Sequence, residues 1–491
     1  MNVTNRTLFI ADNLPIMRGI DSDCIDLIYL DPPFGSKKII KGKKSAKNAS
    51  FKDFWSEEDI EKEWHGEISE IHEEIYQFIQ AAAFLVDQNI KNYLTAMTVR
   101  LFEMKRILKP TGSIYLHCDR TASHYLKGIL DGLFGKQNFR DEIIWKRHSG
   151  HNDKVFGHIH ETIFCYSTES VEISDDIRIP ITNTTKGQSD HRKRKHGTYT
   201  TICLTGPGPS NGESGEPWQN VDPGNRHWSP PLTGEYAKYI EDHFIPNYRS
   251  FKSVHKRLDL LDKAELIQWS DDNNPRYKKY KKAQKGKLPQ SIWTDIPNCS
   301  GKEYIGYPTQ KPLKLLERII KASSNEDDMI LDPFCGCATA CVAAEKLNRK
   351  WIGIDQSPSA EDMTKLRLQE IVDENSDLWN PLEYVTVSNT PPLRTVNETA
   401  IQRRLPAYQI HKHELYGLQE GHCRGCKLHY RYKDLTIDHI VPRSKDGTDH
   451  IENLQLLCSS CNSIKYNNSQ EYLYERLKAR DRELEERLHI T

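Results

Sequence analysis

Three short motifs in this 491-residue chain carry side chains able to do chemistry. In the first, Asp31-Pro32-Pro33-Phe34, a carboxylate stands before two prolines and a ring. A planar exocyclic amine is a poor nucleophile because its lone pair is delocalised into the ring that bears it, and acceptors placed on its hydrogens localise that pair. Asp31 supplies one acceptor, and a carbonyl held by the rigid Pro32-Pro33 unit supplies another without a competing N–H. Phe34 offers a face on which a planar ring can stack. The second motif is Asp332-Pro333-Phe334-Cys335-Gly336, and Asp355 ends the next apolar run about twenty residues on, where a carboxylate can accept from both hydroxyls of a ribose. An ordinary strand-end turn residue is the other reading of Asp355. The third is a set of four cysteines, Cys423-x-x-Cys426 and Cys458-x-x-Cys461, which bracket Asp438-His439. Two such knuckles suit a closed tetrahedral zinc site, although a purely structural zinc ribbon has the same spacing.

The elements that must position these groups are legible in the apolar pattern. Cys24 to Leu30 reads as a buried strand that delivers Asp31 to the C-terminal edge of a parallel sheet, where α/β proteins bind ligands. Leu94, Met97, Leu101, Met104 and Leu108 recur at helical spacing over Tyr93 to Leu108. Pro110-Thr111-Gly112 is expected to stop that helix, and Ser113 to His117 reads as the next strand. Leu313, Leu316, Ile319 and Ile320 form one face of a helix that Pro312 can start. Met329 to Leu331, Ala338 to Leu347 and Trp351 to Ile354 then read strand, helix, strand, a βαβ unit. Periodicity weakens over about 148–306, where Gly, Pro, Trp and basic residues accumulate. Trp218, Trp228, Trp269 and Trp293 are expected to form a small core there, with base stacking as the alternative. A polar, proline-bearing linker is expected over 391–405, and Gln470 to Leu488 is a charged helix candidate.

With no long apolar run, the chain predicts no membrane span, and its first residues lack the pattern of a signal peptide. A cytoplasmic protein is the expectation. Twelve cysteines, of which the two Cys-x-x-Cys pairs take four, favour metal binding in a reducing compartment over disulfides. The formal net charge is only −1, so no overall basicity announces a nucleic-acid binder. Local charge is more telling: Lys37, Lys38, Lys41, Lys43, Lys44, Lys47 and Lys52 share one segment free of carboxylates up to Lys52, and further basic runs occupy His191 to His196 and Arg276 to Lys287. Solvated loops and phosphate contacts both fit such runs.

From about Thr7 to Ser357 the chain resembles the β-class, site-specific DNA adenine methyltransferases. The resemblance rests on the two aspartate motifs in permuted order, on GSIYLHCD at Gly112 to Asp119, DEIIWKR at Asp141 to Arg147, EPWQNVDPGNRHW from Glu216, and YPTQKP at Tyr307 to Pro312. It implies a Rossmann-like α/β sheet with helices on both faces and S-adenosylmethionine as cofactor. By the same resemblance Asp31, Pro32, Pro33 and Phe34 act on an adenine flipped out of duplex DNA. Asp332, Phe334, Gly336 and Asp355 would hold the cofactor, with Gly336 letting the backbone approach its methionine part. Asp12 would contact its adenine, and Thr309 and Lys311 would belong to a segment closing over it. The insertion at about 148–306 would read the DNA target, within a methyltransferase domain of 1–390. Where the family continues its glycine loop with residues such as Ser-Gly-Thr, this chain has Cys337, Ala338, Thr339 and Ala340, a change that bears on cofactor affinity. Asp rather than Ser before the prolines is a family tendency towards adenine over cytosine N4.

From about His422 to Lys465 the chain resembles the HNH, or ββα-metal, nucleases, through LTIDHIVPRSKDG and ENLQLLCSSCNSIK. This implies a zinc-stabilised ββα domain at 406–491 in which Cys423, Cys426, Cys458 and Cys461 bind structural zinc. Asp438 and Asn462 would hold a catalytic magnesium or manganese ion, and His439 would be the general base activating water. Asn453 would position the loop and His439, and Lys465 would contact phosphate, with a solvated surface lysine as the other reading. The combined expectation is a restriction-modification enzyme acting on double-stranded DNA, with a homodimer as a further partner. Its rivals are a solitary methyltransferase whose zinc domain only binds DNA, and a methyltransferase of RNA or protein amines.

Overall fold

The side chains of Leu27, Ile28, Tyr29 and Leu30 alternate between two cores: Ile28 and Leu30 enter one, Leu27 and Tyr29 the other. Period-two alternation with both faces apolar is what a strand covered on both sides requires. The same split recurs at Ile114 and Leu116 against Tyr115, and at Ile352 and Ile354 against Trp351. This computed structural model describes the chain except for residues 34–38, 44–49, 53, 149, 151–155, 169–176, 180–196, 198, 271–273, 281–282, 284–286, 375–384, 396–406 and 489–491. Phe34, Lys37, Lys38, Lys44, Lys47, the basic run at His191 to His196 and most of the expected linker therefore lie outside the described residues.

Nine strands among the described residues form one sheet. In chain order they are β1 (Thr7–Ile10), β2 (Ile25–Leu30), β3 (Leu108–Cys118), β4 (Phe139–Lys146), β5 (His160–Ser167), β6 (Ile292–Trp293), β7 (Met329–Asp332), β8 (Lys350–Asp355) and β9 (Thr386–Ser388). Across the sheet the order is β6-β4-β5-β3-β2-β7-β8-β1-β9. Every neighbouring pair is parallel except those of β5, which runs antiparallel to β3 and β4. The pairing of β7 with β2, Leu331 opposite Ile28, brings the two aspartate motifs together at the switch point of the sheet. Crevices outside the carboxyl ends of strands at such a point are where open α/β sheets bind ligands.

Helices α1 (Asn13–Gly19), α2 (Lys62–Ile71), α3 (Glu73–Leu85), α4 (Gln88–Ile107) and α5 (Ser123–Phe134) contribute to the first core. Helices α6 (Leu313–Ser323), α7 (Thr339–Lys346) and α8 (Ser359–Glu374) cover the other face. Helix α4 begins five residues earlier than its apolar spacing suggests, because the Asp87 side chain accepts from Ile90 N at 3.0 Å and caps the first turn. It stops at Ile107 without help from Pro110, which lies inside β3. The β2–β3 register shifts between Ile25 and Leu27, and a proline is tolerated where ladder pairing is interrupted. Pro312 stands just before α6, as its N-cap.

Residues Asp175–Pro289 form a second compact unit. Strands Tyr199–Cys203, Pro275–Tyr280 and Ile267–Trp269 make its antiparallel sheet, joined by helices Gly234–His243 and Val254–Lys263. Trp218 stacks on Trp269 with centroids 5.6 Å apart and meets Trp228 edge-on at 5.9 Å, so these three indoles are core. Trp293 is not part of that core. It lies in β6 of the large sheet, with Arg318 over its ring at 4.8 Å. Within the loop-rich span, β5 is also a large-sheet strand; its antiparallel run follows a break in periodicity over 148–159.

Near the C-terminus, α9 (Lys412–Leu418) precedes the antiparallel pair β10 (Leu435–His439) and β11 (Leu454–Cys458), then α10 (Ser459–Lys465) and α11 (Gln470–Leu488). The segment β10-β11-α10 has the ββα order. Helix α9 crosses α2 closely: a Cβ at Gly417 would sit 1.9 Å from Lys62 O, and one at Gly66 would sit 2.5 Å from His413 Cα. Tyr416 packs edge-on against Tyr76 at 5.5 Å, and His413 Nε2 lies 2.6 Å from Glu70 Oε2. Among the described residues no helix is long and apolar enough to cross a membrane.

Candidate functional site

Four adjacent parallel strands end in acidic residues on one edge of the sheet. Asp31 follows β2, Asp332 ends β7, Asp355 ends β8, and Asp12 follows β1. A cavity of about 670 Å³ opens there, lined by these four carboxylates together with Pro32, Pro33, Tyr307, Thr309, Lys311, Phe334 and Gly336. That volume falls in the range of small-molecule sites. Every described residue expected from the sequence to act in amine chemistry or cofactor binding therefore reaches one cavity.

The carboxylates are held differently. Asp355 accepts from Gly336 N and Ser357 N, each at 2.8 Å and on separate oxygens, which ties the second motif to the end of β8. Burial pushes the Asp355 carboxyl up. Asp332 is pushed well above the usual carboxylate range, first by burial and then by the nearby Asp31 and Asp355. Asp12 is largely committed to structure. It caps α1 by accepting from Leu14 N at 2.8 Å, takes Arg100 Nη2 at 2.9 Å, and takes Gln356 Nε2 at 2.5 Å. Arg100 is buried between the rings of Trp55 and Trp64, at 5.5 and 5.4 Å, and reaches Asn13 Oδ1, whose amide in turn donates to Pro333 O.

Asp31 faces the cavity asymmetrically. Lys311 Nζ donates to Oδ2 at 2.5 Å, whereas Oδ1 is buried and has no hydrogen-bond partner among the described residues. Lys311, expected to help close over a cofactor, is thus placed on the carboxylate of the first motif. Behind it lies Glu161 of β5, with Oε2 3.8 Å from Lys311 Nζ and 2.9 Å from His117 Nε2, while Arg147 donates to Oε1. The Tyr29 hydroxyl and His117 Nδ1 are 2.8 Å apart. Burial alone would raise the Glu161 carboxyl, but Lys311, His117 and Arg147 outweigh it and hold the group well below its ordinary value.

Gly336 adopts φ +52°, and a Cβ there would lie 3.1 Å from the Tyr307 ring. Tyr307, from the segment before α6, is close enough that a Cβ at Gly336 and the ring would have to move apart. Ala338, at one of the positions where this chain departs from the family pattern, also has a left-handed φ, +57°.

Sequence reasoning missed Glu161, His117, Tyr29, Arg100, Trp55, Trp64 and Tyr307's contact. Arg100 carries a usable signal, because it shares the apolar face of Met97, Leu101 and Met104, where a charge needs a partner. Glu161 likewise heads an apolar strand.

In the C-terminal segment the ligand sulfurs of Cys423, Cys426, Cys458 and Cys461 all lie within 4.8 Å of one another, and all four cysteines are free of disulfides. Four convergent thiols fit a tetrahedral zinc centre. Asp438 and His439 end β10. His439 Nε2 lies 2.8 Å from Asp449 Oδ1, and Asn453 links the following loop by accepting from Val441 N and donating to Thr448 O. Lys465 is not placed to meet phosphate: it is fully buried and donates to His439 O at 2.7 Å, with Asp438 Oδ2 at 3.0 Å. Its position on the inner face of α10 turns its ammonium towards β10. Gln455 also donates to Asp438 Oδ2, at 2.8 Å, so Oδ1 is the oxygen through which Asp438 would meet a cation. Asn462 donates to Thr436 Oγ1 at 3.1 Å, which leaves its side-chain carbonyl oxygen as the atom that would meet a cation.

Residues 25–366 match the DNA methylase family, and residues 423–468 match the HNH endonuclease family. The type II methyltransferase M.EcaI of Enterobacter cloacae is 30% identical over 271 residues, covering 54% of this chain and 55% of that protein. The type II methyltransferase M2.LlaDCHI of Lactococcus lactis subsp. cremoris is 39% identical over 114 residues, 22% of this chain and 42% of that protein. The Mod subunit of the type III restriction-modification enzyme StyLTI of Salmonella typhimurium is 24% identical over 420 residues, 76% of this chain and 56% of that protein. The chain spans about half the length of the curated relatives it matches.

Proposed function

Since residues 25–366 make this chain a member of the DNA methylase family, we propose that it methylates adenine N6 in duplex DNA and that its C-terminal segment cuts DNA, in the manner of a restriction-modification enzyme. The observation that carries the first activity is Asp31 Oδ1, a buried acceptor at the cavity beside Pro32 and Pro33 with no hydrogen-bond partner among the described residues. A buried polar atom without a partner is costly, and the hydrogen of an incoming amine would satisfy it. S-adenosylmethionine supplies an electrophilic methyl group when bound. The Asp332 to Gly336 loop, Asp355, Thr309 and Phe334 would hold it, since they line a cavity of suitable size. Asp31 Oδ1 and the carbonyl between the prolines accept from the amine, localise its lone pair and orient it. Phe34 lies outside the described residues, and its stacking role rests on the motif alone. Asp12 acts through its cap and through Arg100 to shape the cavity wall.

In the nuclease, Cys423, Cys426, Cys458 and Cys461 bind structural zinc, which holds β11 and α10 in place. A divalent ion would meet Asp438 Oδ1 and the Asn462 carbonyl, and would neutralise charge on the scissile phosphate. His439, with Nε2 occupied by Asp449, presents Nδ1 as the base that takes a proton from water. A second reading, a zinc domain that grips DNA without cutting it, is favoured by the Lys465 ammonium on Asp438, since a fixed cation there competes with a metal ion. Incubation of unmethylated plasmid and magnesium with the protein, Asp31→Ala and His439→Ala separates the two. Methyl incorporation lost only in Asp31→Ala and cutting lost only in His439→Ala support the bifunctional reading. Methylation without cutting in the unaltered protein supports the second.

A further inference from the structure

We propose that Glu161 is a positioning residue for methyl transfer: it keeps Lys311 on one oxygen of Asp31 and so leaves the other open to the substrate amine. This inference rests on the reading of Asp31 given above.

A lysine ammonium on a four-carbon stem is a mobile point charge with three donors, and nothing in its own geometry makes it choose between the two oxygens of a carboxylate. Here the choice is made. Lys311 Nζ lies 2.5 Å from Asp31 Oδ2, and Oδ1 has no partner among the described residues. The second anion within reach is Glu161, whose Oε2 is 3.8 Å from the same ammonium. With a carboxylate on each side, the ammonium is drawn between the two and away from a bridging position over both oxygens of Asp31.

Glu161 is itself built to stay put. It is 5% exposed and emerges from β5, the reversed strand, between β3, which carries His117, and β4, which leads into Arg147. His117 Nε2 holds its Oε2 at 2.9 Å, Arg147 donates to its Oε1, and Tyr29 meets the far nitrogen of His117. A buried carboxylate is costly without partners, and these partners both offset that cost and fix where its charge sits. Neither Glu161 nor His117 lines the cavity, so both act through Lys311 and not on substrate. Replacing Glu161 by the isosteric glutamine removes the second anion and keeps the volume. The ammonium is then free to bridge Asp31, and the amine must compete with it for Oδ1. A misplacement on the order of 1 Å at a reacting centre costs about a hundredfold in rate.

The test is a double-mutant cycle on single-turnover methyl transfer to unmethylated duplex DNA, with Glu161→Gln, Lys311→Met and the pair, and cofactor binding measured alongside by calorimetry. The expected result is a rate lower by about 10- to 100-fold in Glu161→Gln, with cofactor Kd within about threefold, and no further loss when Glu161→Gln is added to Lys311→Met. A residue that merely supports the fold would lower the rate by the same factor in both backgrounds. Glu161→Asp, which keeps the charge but withdraws it by one methylene, gives a milder variant should the glutamine disturb folding, and its loss must likewise vanish in Lys311→Met. A wild-type rate in Glu161→Gln, or a loss undiminished without Lys311, overturns the inference. Absence of methyl transfer by the unaltered protein would overturn the reading of Asp31 instead.

Discussion

Gly336 and Tyr307 pack so closely that a single added methyl on Gly336 would stand 3.1 Å from the tyrosine ring. The contact joins the second aspartate motif to the segment that carries Thr309 and Lys311, and Gly336 meets it with φ +52°. A side chain at this backbone angle costs about 1–2 kcal/mol before any clash is counted. Gly336→Ala is therefore expected to weaken binding of S-adenosylmethionine by about tenfold or more, read by calorimetry. Affinity equal to that of the unaltered protein would show that the contact does not shape the cavity.

Ala338, two residues on, carries the same conformational cost at φ +57°, fully buried in the core at the start of α7. Ala338→Gly is expected to raise the stability of the protein by about 1 kcal/mol, measured by urea unfolding. A decrease would mean that the alanine methyl packs better than its backbone angle costs.

Asp12 is predicted to matter more for folding than for cofactor contact. Arg100 is 3% exposed at its side chain, and Asp12 is the carboxylate it pairs with, 2.9 Å away. Asp12→Ala removes a helix cap and strands a buried guanidinium, a loss of about 3–5 kcal/mol. Denaturant unfolding should show it, and Arg100→Met added to Asp12→Ala should restore part of it. If Asp12→Ala left stability unchanged and abolished cofactor binding, the sequence-based expectation of a direct contact would be the better account.

Removal of zinc should unfold the C-terminal segment. The four cysteine sulfurs converge within 4.8 Å, and small zinc-framed domains depend on the metal for folding. Metal analysis is expected to find one zinc per chain, lost in Cys458→Ser, with trypsin then cutting within 407–488 first. Full zinc content in Cys458→Ser would contradict the assignment.

The motifs were readable because each combines residue types that few structural needs would place together. Asp31 and Asp332 stood out from sequence, and the sheet explains their order, since β2 and β7 are neighbours in space. Glu161 and Arg100 are not legible as site residues, because a lone charge in an apolar run says only that some partner exists, and the partners come from strands or helices remote in sequence. Lys465 illustrates the converse. Four residues after Cys461 it reads as a surface phosphate contact, but α10 turns it inward onto Asp438 and the His439 carbonyl. Pro110 reads as a helix stop but lies in β3, because the β2–β3 pairing jumps from Leu108 to Ser113 and leaves that position out of the ladder. Trp293 joins the large sheet by pairing with Trp145, and its two-residue strand is too short to show alternation in the sequence.

The most direct test of the central claim is mass spectrometry of nucleosides from unmethylated duplex DNA treated with the protein and S-adenosylmethionine, beside the Asp31→Ala variant. The account predicts N6-methyladenine with the unaltered protein and none with Asp31→Ala, while both bind the cofactor. N4-methylcytosine in its place, or N6-methyladenine persisting in Asp31→Ala, would contradict it.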